Sequence, residues 1–327
     1  MEPRIYEFEK FVSTKETVKS TLEKYGVAII PNVLSSEECE EMKVEMWNYL
    51  EHITQKFEIP IHRNKPESWR SFKDLFVKHS MLIQEWGIGQ SQFNWNLRQN
   101  PAIYEIFAKL WNVKAEELLV SFDGASFHFP PETTNLGWYK GNNWLHCDQS
   151  YLRPNFECVQ SWINAFDTNV GDATLTVYEG SHKYHNEFRE RFNISDKDDW
   201  FKLENQEQKD FYVIEKGCKQ YHIKCPAGSL VLWDSRTIHS GTEPMKGREI
   251  PNFRCVSYLC YMPRSLAKPL DIKKKIKAFE ELRTTSHWAQ RCKLFPKTPR
   301  TYGKELPPIT PINPPIINEM GKKFVGY

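Results

Sequence analysis

Leu145-His146-Cys147-Asp148 is the stretch on which the reading of this sequence turns. In an extended strand, residues i and i+2 point to the same face. His146 and Asp148 can therefore aim at one point from a common support. An H-x-D pair alone says little in a chain with ten histidines, where such pairs are commonly surface hydrogen-bonding pairs. A third ligand in context gives it meaning. His239 lies 91 residues beyond Asp148 and follows Leu230-Val231-Leu232-Trp233-Asp234, a strand pattern that comes after the turn Pro226-Ala227-Gly228. Two imidazoles and one carboxylate on one face of Fe(II) leave three adjacent positions open. Two of these suit the keto and carboxylate oxygens of 2-oxoglutarate, and the third suits O2. His128, His182, His185 and His222 fit this pattern less well and are given structural roles.

Around that motif the texture divides the chain. Residues 1–115 read as mainly helical, with capping-box spacings at Ser13/Glu16 and Ser35/Glu38. The first predicts a helix over 14–25 that stops at Gly26. The second opens a helix with the apolar stripe Cys39, Met42, Met46, Leu50 and Ile53. Between them, Val27-Ala28-Ile29-Ile30 reads as a buried strand. The clearest helix of the stretch 55–112 is near 101–111.

From 116 to 264, short β-branched and aromatic runs alternate with Gly, Pro, Asn and Asp. Candidate strands are 118–129, 143–149, 156–166, 173–179, 219–224, 229–234 and 253–262. This predicts a sandwich or barrel, interrupted by a polar, helical insertion at 182–212. A C-terminal part, 265–327, begins with a basic helix over 269–283 whose apolar face is Ile272, Ile276, Phe279 and Leu282. Its Lys273-Lys274-Lys275 run reads as a solvated face. A Pro-rich tail from 296 is expected to lie extended over the body. No domain boundary is visible, so the expectation is one α+β unit over 1–327.

Composition narrows the function classes. The net charge of +2, from 44 basic and 42 acidic residues, gives no general drive toward nucleic acid or membrane surfaces. The start, Met1–Glu7, is charged and lacks a signal-peptide core, and no apolar run is long enough to span a bilayer. The eight cysteines form no C-x-x-C pair, so a structural zinc site is not expected and free thiols are. A cytoplasmic protein without membrane or nucleic-acid partners is the expectation, and no feature specifies an oligomeric state.

A dicarboxylate co-substrate needs a buried cation for its far carboxylate, and Arg suits this best. Arg248 and Arg254 both follow His239. Arg248 falls in the polar stretch Glu243–Asn252, read as an exposed loop. Arg254 opens a strand pattern and is the better preorganised of the two.

At this point the chain resembles the phytanoyl-CoA dioxygenase family of Fe(II)/2-oxoglutarate oxygenases, from about residue 20 to 264. Gly26 to Leu34 resembles the family's opening strand and turn, and His146-Cys147-Asp148 its H-x-D. Trp162 to Asp167 followed by Gly171 to Leu175 resembles the strand leading to an N-G-[AS]-L-type turn. Gly180-Ser181-His182-Lys183 resembles a P-G-S-H-[KR] element, and Ile238-His239-Ser240-Gly241 the strand with the distal His. The resemblance implies a double-stranded β-helix (jelly roll, cupin-like) core with flanking helices. It implies Fe(II) held by His146, Asp148 and His239, with 2-oxoglutarate and O2 as co-substrates. It also implies 2-oxoglutarate binding by Arg254, with Ser240 and Trp162 at positions that often help. Two features depart from the family pattern. Cys147 stands where many relatives carry a Gln that touches 2-oxoglutarate, and the 15-residue spacing from His239 to Arg254 is longer than usual.

The implied activity is hydroxylation of a small-molecule substrate with release of succinate and CO2. The alternatives are an oxygenase acting on a protein side chain or nucleobase, and a catalytically silent binding relative. Gly87–Gln92, Arg98, Asp123 and Trp138 are candidates to line a substrate pocket, and Arg283–Trp288 to close over it. Ordinary packing is the competing reading for each.

Overall fold

The apolar runs pair into two six-stranded sheets in the computed structural model, which describes residues 4–141 and 143–327. Met1–Pro3, part of the charged start, lie outside the described residues. With strands numbered along the chain, the first sheet has the order β2 (Val27–Ile30), β11 (Leu230–Asp234), β7 (Val159–Asn164), β13 (Arg254–Leu259), β5 (Ala125–His128), β3 (Leu82–Ile83). The second has the order β1 (Tyr6–Glu7), β10 (Gln220–Ile223), β8 (Thr174–Tyr178), β12 (His239–Thr242), β6 (His146–Cys147), β9 (Phe201–Lys202). β4 (Leu118–Val120) and β14 (Tyr261–Pro263) form a separate ribbon. The neighbours pair antiparallel except β1 and β10. β11, β12 and β13 alternate between the two sheets, which is the winding of a double-stranded β-helix.

Period-2 alternation explains why the first sheet reads as unbroken apolar runs. Val27, Ile29, Val231 and Trp233 turn inward, joining Trp162, Leu175, Val177 and Val256 between the sheets. Ala28, Ile30, Leu230 and Leu232 turn outward into a second cluster, where Met42, Met46 and Leu50 of the helix Ser36–Ile53 cover them. β2 and β11 are therefore covered on both faces. That helix starts as expected: Glu38 N donates to Ser35 Oγ at 3.2 Å and Ser35 N to Glu38 Oε2 at 2.8 Å.

Several expectations need correction. The first helix begins at Val18, because Ser13 N donates to Ile29 O at 2.8 Å and its hydroxyl engages those of Thr17 and Thr21. Ser13 is thus drawn toward the sheet and cannot cap. The run 118–129 is two strands, β4 and β5, broken at 121–124 where Ser121 N donates to Cys260 O. The insertion 182–212 is only partly helical, with helices at His185–Arg191 and Gln206–Asp210, and contributes β9 to the edge of the second sheet. The basic helix spans Pro269–Glu280, and its fully buried side chains are Lys275 and Ala278. Lys275 is no part of a solvated face: its ammonium donates to Val120 O and lies 3.7 Å from the centroid of the Phe122 ring. The tail does lie extended over the body, with Thr310 N donating to Ile53 O at 3.0 Å, but it ends in a helix, Glu319–Val325.

Gly228 anchors the turn before β11. Its φ is +75°, and a Cβ there would come 2.5 Å from Leu34 O. Gly228→Ala is expected to lower stability by about 1–3 kcal/mol in urea unfolding, since both the backbone region and the space exclude a methyl group. An unchanged midpoint would show that the turn relaxes freely.

Candidate metal centre and cavity

The site begins with strand register. His239 on β12 is directly opposite His146 on β6, so two imidazoles project from neighbouring strands toward the same side. Asp148 lies just past the end of β6, where its N–H donates to Ser235 O at 3.0 Å. The support for the H-x-D pair is thus a two-residue strand plus one backbone bond, shorter than the extended run expected. Asp148 Oδ2 sits 3.5 Å from His146 Nε2 and 3.3 Å from His239 Nε2. The three candidate ligand atoms lie within 4.8 Å of one another.

The imidazoles are oriented from behind. His146 Nδ1 is 2.9 Å from Trp144 O, and His239 Nδ1 is 2.9 Å from Thr237 O. A carbonyl only accepts, so each Nδ1 carries the proton and each Nε2 presents a lone pair. His146 is further held in a ring stack with Trp144 (centroids 4.5 Å) and, beyond it, His79 (4.1 Å from Trp144). Burial and the neighbouring His146 lower the pKa of His239. Gln160 Nε2 on β7 donates to Asp148 Oδ2 at 3.0 Å.

These groups open onto a cavity of about 500 Å³. His239 and Gly241 line it, whereas Ser240 alternates to the opposite face of β12 and is not a lining residue. That corrects its expected place beside a co-substrate. Trp162 and Arg254 do line the cavity, from adjacent strands, with the guanidinium 5.4 Å from the indole centroid. Arg254 Nε donates to Ser126 Oγ and Nη1 to Ala173 O. Nη2 makes no hydrogen bond among the described residues, and Trp162 Nε1 is buried without a partner. Arg248 is spent elsewhere: it clamps Glu132 and Asp172 and donates to Asn252 O. Cys147 points away from the cavity into the cluster around Tyr151 and Phe188.

Four other histidines, His128, His182, His185 and His222, pack or bond away from the cavity. The ring of His222 meets Thr176 Oγ1, that of His182 meets Glu23 O and that of His185 meets Ser150 O. His128 packs against Gly137. Of the pocket candidates, Asp123, Ser286, His287 and Trp288 reach the cavity, while Arg98 is buried beneath and Gly89 backs onto Thr284. Sequence reasoning missed Gln160, Trp144 and His79. Gln160 was findable, because it shares a strand face with Trp162; the stack of His79 on Trp144 joins segments with no local signal.

Comparisons with known proteins agree with this geometry. The family model for phytanoyl-CoA dioxygenase matches residues 22–245, more than half the chain. The chain belongs to the phytanoyl-CoA dioxygenase family. Family membership makes it an Fe(II)- and 2-oxoglutarate-dependent oxygenase by class. The match ends before Arg254, so that residue's role rests on geometry. The chain is 28% identical over 274 residues to Ava biosynthesis cluster protein O of Aspergillus versicolor, covering 81% of this chain and 83% of the relative. It is 32% identical over 134 residues to a putative phytanoyl-CoA dioxygenase of Dictyostelium discoideum, covering 39% of this chain and 35% of that protein. Among solved structures, the GlcNAc Inducible Gene 2 product of Candida albicans superposes with a TM-score of 0.52 at 15% identity, over 81% of this chain and 67% of that one. That likeness concerns the fold alone. No helix among the described residues is long and apolar enough to cross a membrane.

Arg248→Ala should cost about 3 kcal/mol of stability, because it removes the only ion-pair partner, among the described residues, of the buried Asp172 carboxylate, which keeps just the Asn169 N–H and the Asn252 amide. Affinity for 2-oxoglutarate should stay unchanged in isothermal titration. A folded, stable variant that no longer binds 2-oxoglutarate would reverse the assignment of the two arginines.

Proposed function

We propose that His146, Asp148 and His239 hold Fe(II), that Arg254 and Trp162 receive the far carboxylate of 2-oxoglutarate, and that a small molecule is hydroxylated in the cavity beside them. The observation that carries this reading is the single carboxylate oxygen within 3.5 Å of two imidazole nitrogens whose opposite nitrogens are both tied to carbonyls. Two nitrogen lone pairs facing an anionic oxygen repel one another unless a positive charge sits among them. The donor set fits a 2-His-1-carboxylate iron centre, which keeps one face free.

Bound there, Fe(II) with 2-oxoglutarate and O2 supplies the oxidising chemistry, in which 2-oxoglutarate becomes succinate and CO2 and a substrate C–H becomes C–OH. The chain's own work is placement and exclusion. Trp144 and Thr237 carbonyls fix the imidazole tautomers. Gln160 holds the Asp148 carboxylate from the cavity side. Arg254, whose Nε and Nη1 are already bonded, offers its Nη2, and Trp162 an unpartnered indole N–H. Trp233, Leu175 and Trp162 make the wall apolar, which keeps water from the reacting atoms.

A small-molecule substrate is favoured by a cavity within the size range of drug-like ligand sites and by the A. versicolor relative, whose name assigns it to a biosynthesis cluster. The eight cysteines are free and buried, which fits a reducing compartment such as the cytoplasm.

Purified protein with Fe(II), ascorbate and 2-oxoglutarate is expected to release succinate. His146→Ala and Asp148→Ala should lose bound iron and at least about 100-fold of that activity. Arg254→Ala should retain iron but need far more 2-oxoglutarate. Full iron content in both triad variants would refute the ligand assignment.

A further inference from the structure

Asp123 is the lining carboxylate that the iron-centre reading leaves without a task. Asp148 belongs to the imidazole pair, and Asp199 is ion-paired with Arg153 and Arg291. Asp123 forms no ion pair among the described residues. Its carboxylate accepts only from the N–H of its own neighbour Gly124, at 2.7 Å. It is 9% exposed, on the cavity side. Burial pushes its pKa up to about 7, against the pull of the Gly124 N–H and the Arg98 guanidinium. A carboxylate in that position is costly until a donor arrives to meet it.

The loop that carries it is held rigid. Arg98 Nη2, wholly buried, donates to Asp123 O at 3.0 Å. Phe122 exchanges hydrogen bonds with Thr285 on the other side. Gly124 is pressed so close to Ile83 that a Cβ would fall 2.0 Å from its carbonyl oxygen. Such support matches what is needed to present a functional side chain.

A second observation points to a ligand in the same cavity, one that also carries a hydrogen-bond acceptor, since an indole N–H can only donate. Ser286 and Trp288, on the segment that closes the cavity, carry a buried Oγ and Nε1 with no partner. Tyr258, Trp288 and Phe295 also line the cavity, and the Trp288 ring already carries the Arg153 and Arg291 guanidiniums, 4.4 and 4.2 Å from its centroid. Of the basic residues that line the cavity, Lys78 pairs with Glu85, Arg291 with Asp199, and Lys293 is exposed, while the buried Arg98 guanidinium beneath the loop bonds to the Gly89 and Asp123 carbonyls and not to the Asp123 carboxylate.

We propose that Asp123 is the substrate-orienting residue of this cavity and that the substrate carries a protonated nitrogen on an apolar or aromatic skeleton. The inference rests on the oxygenase reading of the same cavity. A buried carboxylate without an ion-pair partner attracts an ammonium group by charge-assisted hydrogen bonding, and the neighbouring Tyr258 ring suits the apolar skeleton. Anchoring that nitrogen at Asp123 leaves the carbon skeleton to extend toward the iron centre.

The test is calorimetry on the full chain loaded with Mn(II) and 2-oxoglutarate. Benzylamine, phenethylamine and tryptamine are each compared with their N-acetyl derivatives. At least one amine should bind about 10-fold more tightly than its uncharged partner, and Asp123→Asn should bring that ratio to about 1. The wild-type ratios stand even if the variant fails to fold. No amine preference in the wild type, or a preference that survives in a folded Asp123→Asn, overturns the proposal. Titration of 2-oxoglutarate into the Mn(II)-loaded protein separates the two readings. If 2-oxoglutarate binds and no amine is preferred, the substrate inference alone fails. If 2-oxoglutarate does not bind, the oxygenase reading fails with it.

Discussion

One carboxylate oxygen facing two imidazole lone pairs is the constraint around which the rest of the molecule is arranged. Left alone, these three groups repel, and burial makes the repulsion worse. The arrangement holds because each group is tied from behind: Trp144 O on His146, Thr237 O on His239, and Ser235 O on the Asp148 N–H. A positive charge in the centre then turns three mutually unfavourable groups into one favourable set. The register that places His239 opposite His146 is fixed by the longer pairing of β12 with β8, because β6 itself is only two residues long.

Much of this was legible in the amino-acid sequence, for reasons that differ by element. The helix Ser36–Ile53 announced itself through a local device, the capping box at Ser35, together with a stripe at helical spacing. The strand β11 was legible because Leu230 to Trp233 is apolar on both faces and both faces are covered. The helix over 14–25 began too early because Ser13 has a stronger use in bonding to Ile29 O on β2, a tertiary contact that its own neighbourhood does not signal. Lys275 read as solvent-facing because a sequence window cannot see Val120 O and the Phe122 ring arriving from the β4 ribbon.

The candidate site divides the same way. His146, Asp148, His239, Arg254 and Trp162 came from local patterns combined with a family resemblance, and the structure brings these five together around one cavity. Ser240 was carried by the resemblance, yet strand alternation turns it from His239 to the opposite face of β12. Arg248 and Arg254 were separable in principle, since the one sits in a loop between two acids and the other on a strand facing inward. What no local pattern could supply is the closing segment: Ser286, His287 and Trp288 reach the cavity only because Thr284 and Thr285 bond to Gly89 and Phe122. The Asp123 loop depends on that contact as well, so this wall of the cavity is a product of tertiary structure alone.

The most direct test of the central claim is anomalous diffraction at the manganese edge from crystals grown with Mn(II) and 2-oxoglutarate. The account predicts one peak among His146 Nε2, Asp148 Oδ2 and His239 Nε2, about 2.0–2.2 Å from each, with the far carboxylate of 2-oxoglutarate against Arg254. A peak elsewhere, or three side chains turned apart with no metal between them, would contradict it.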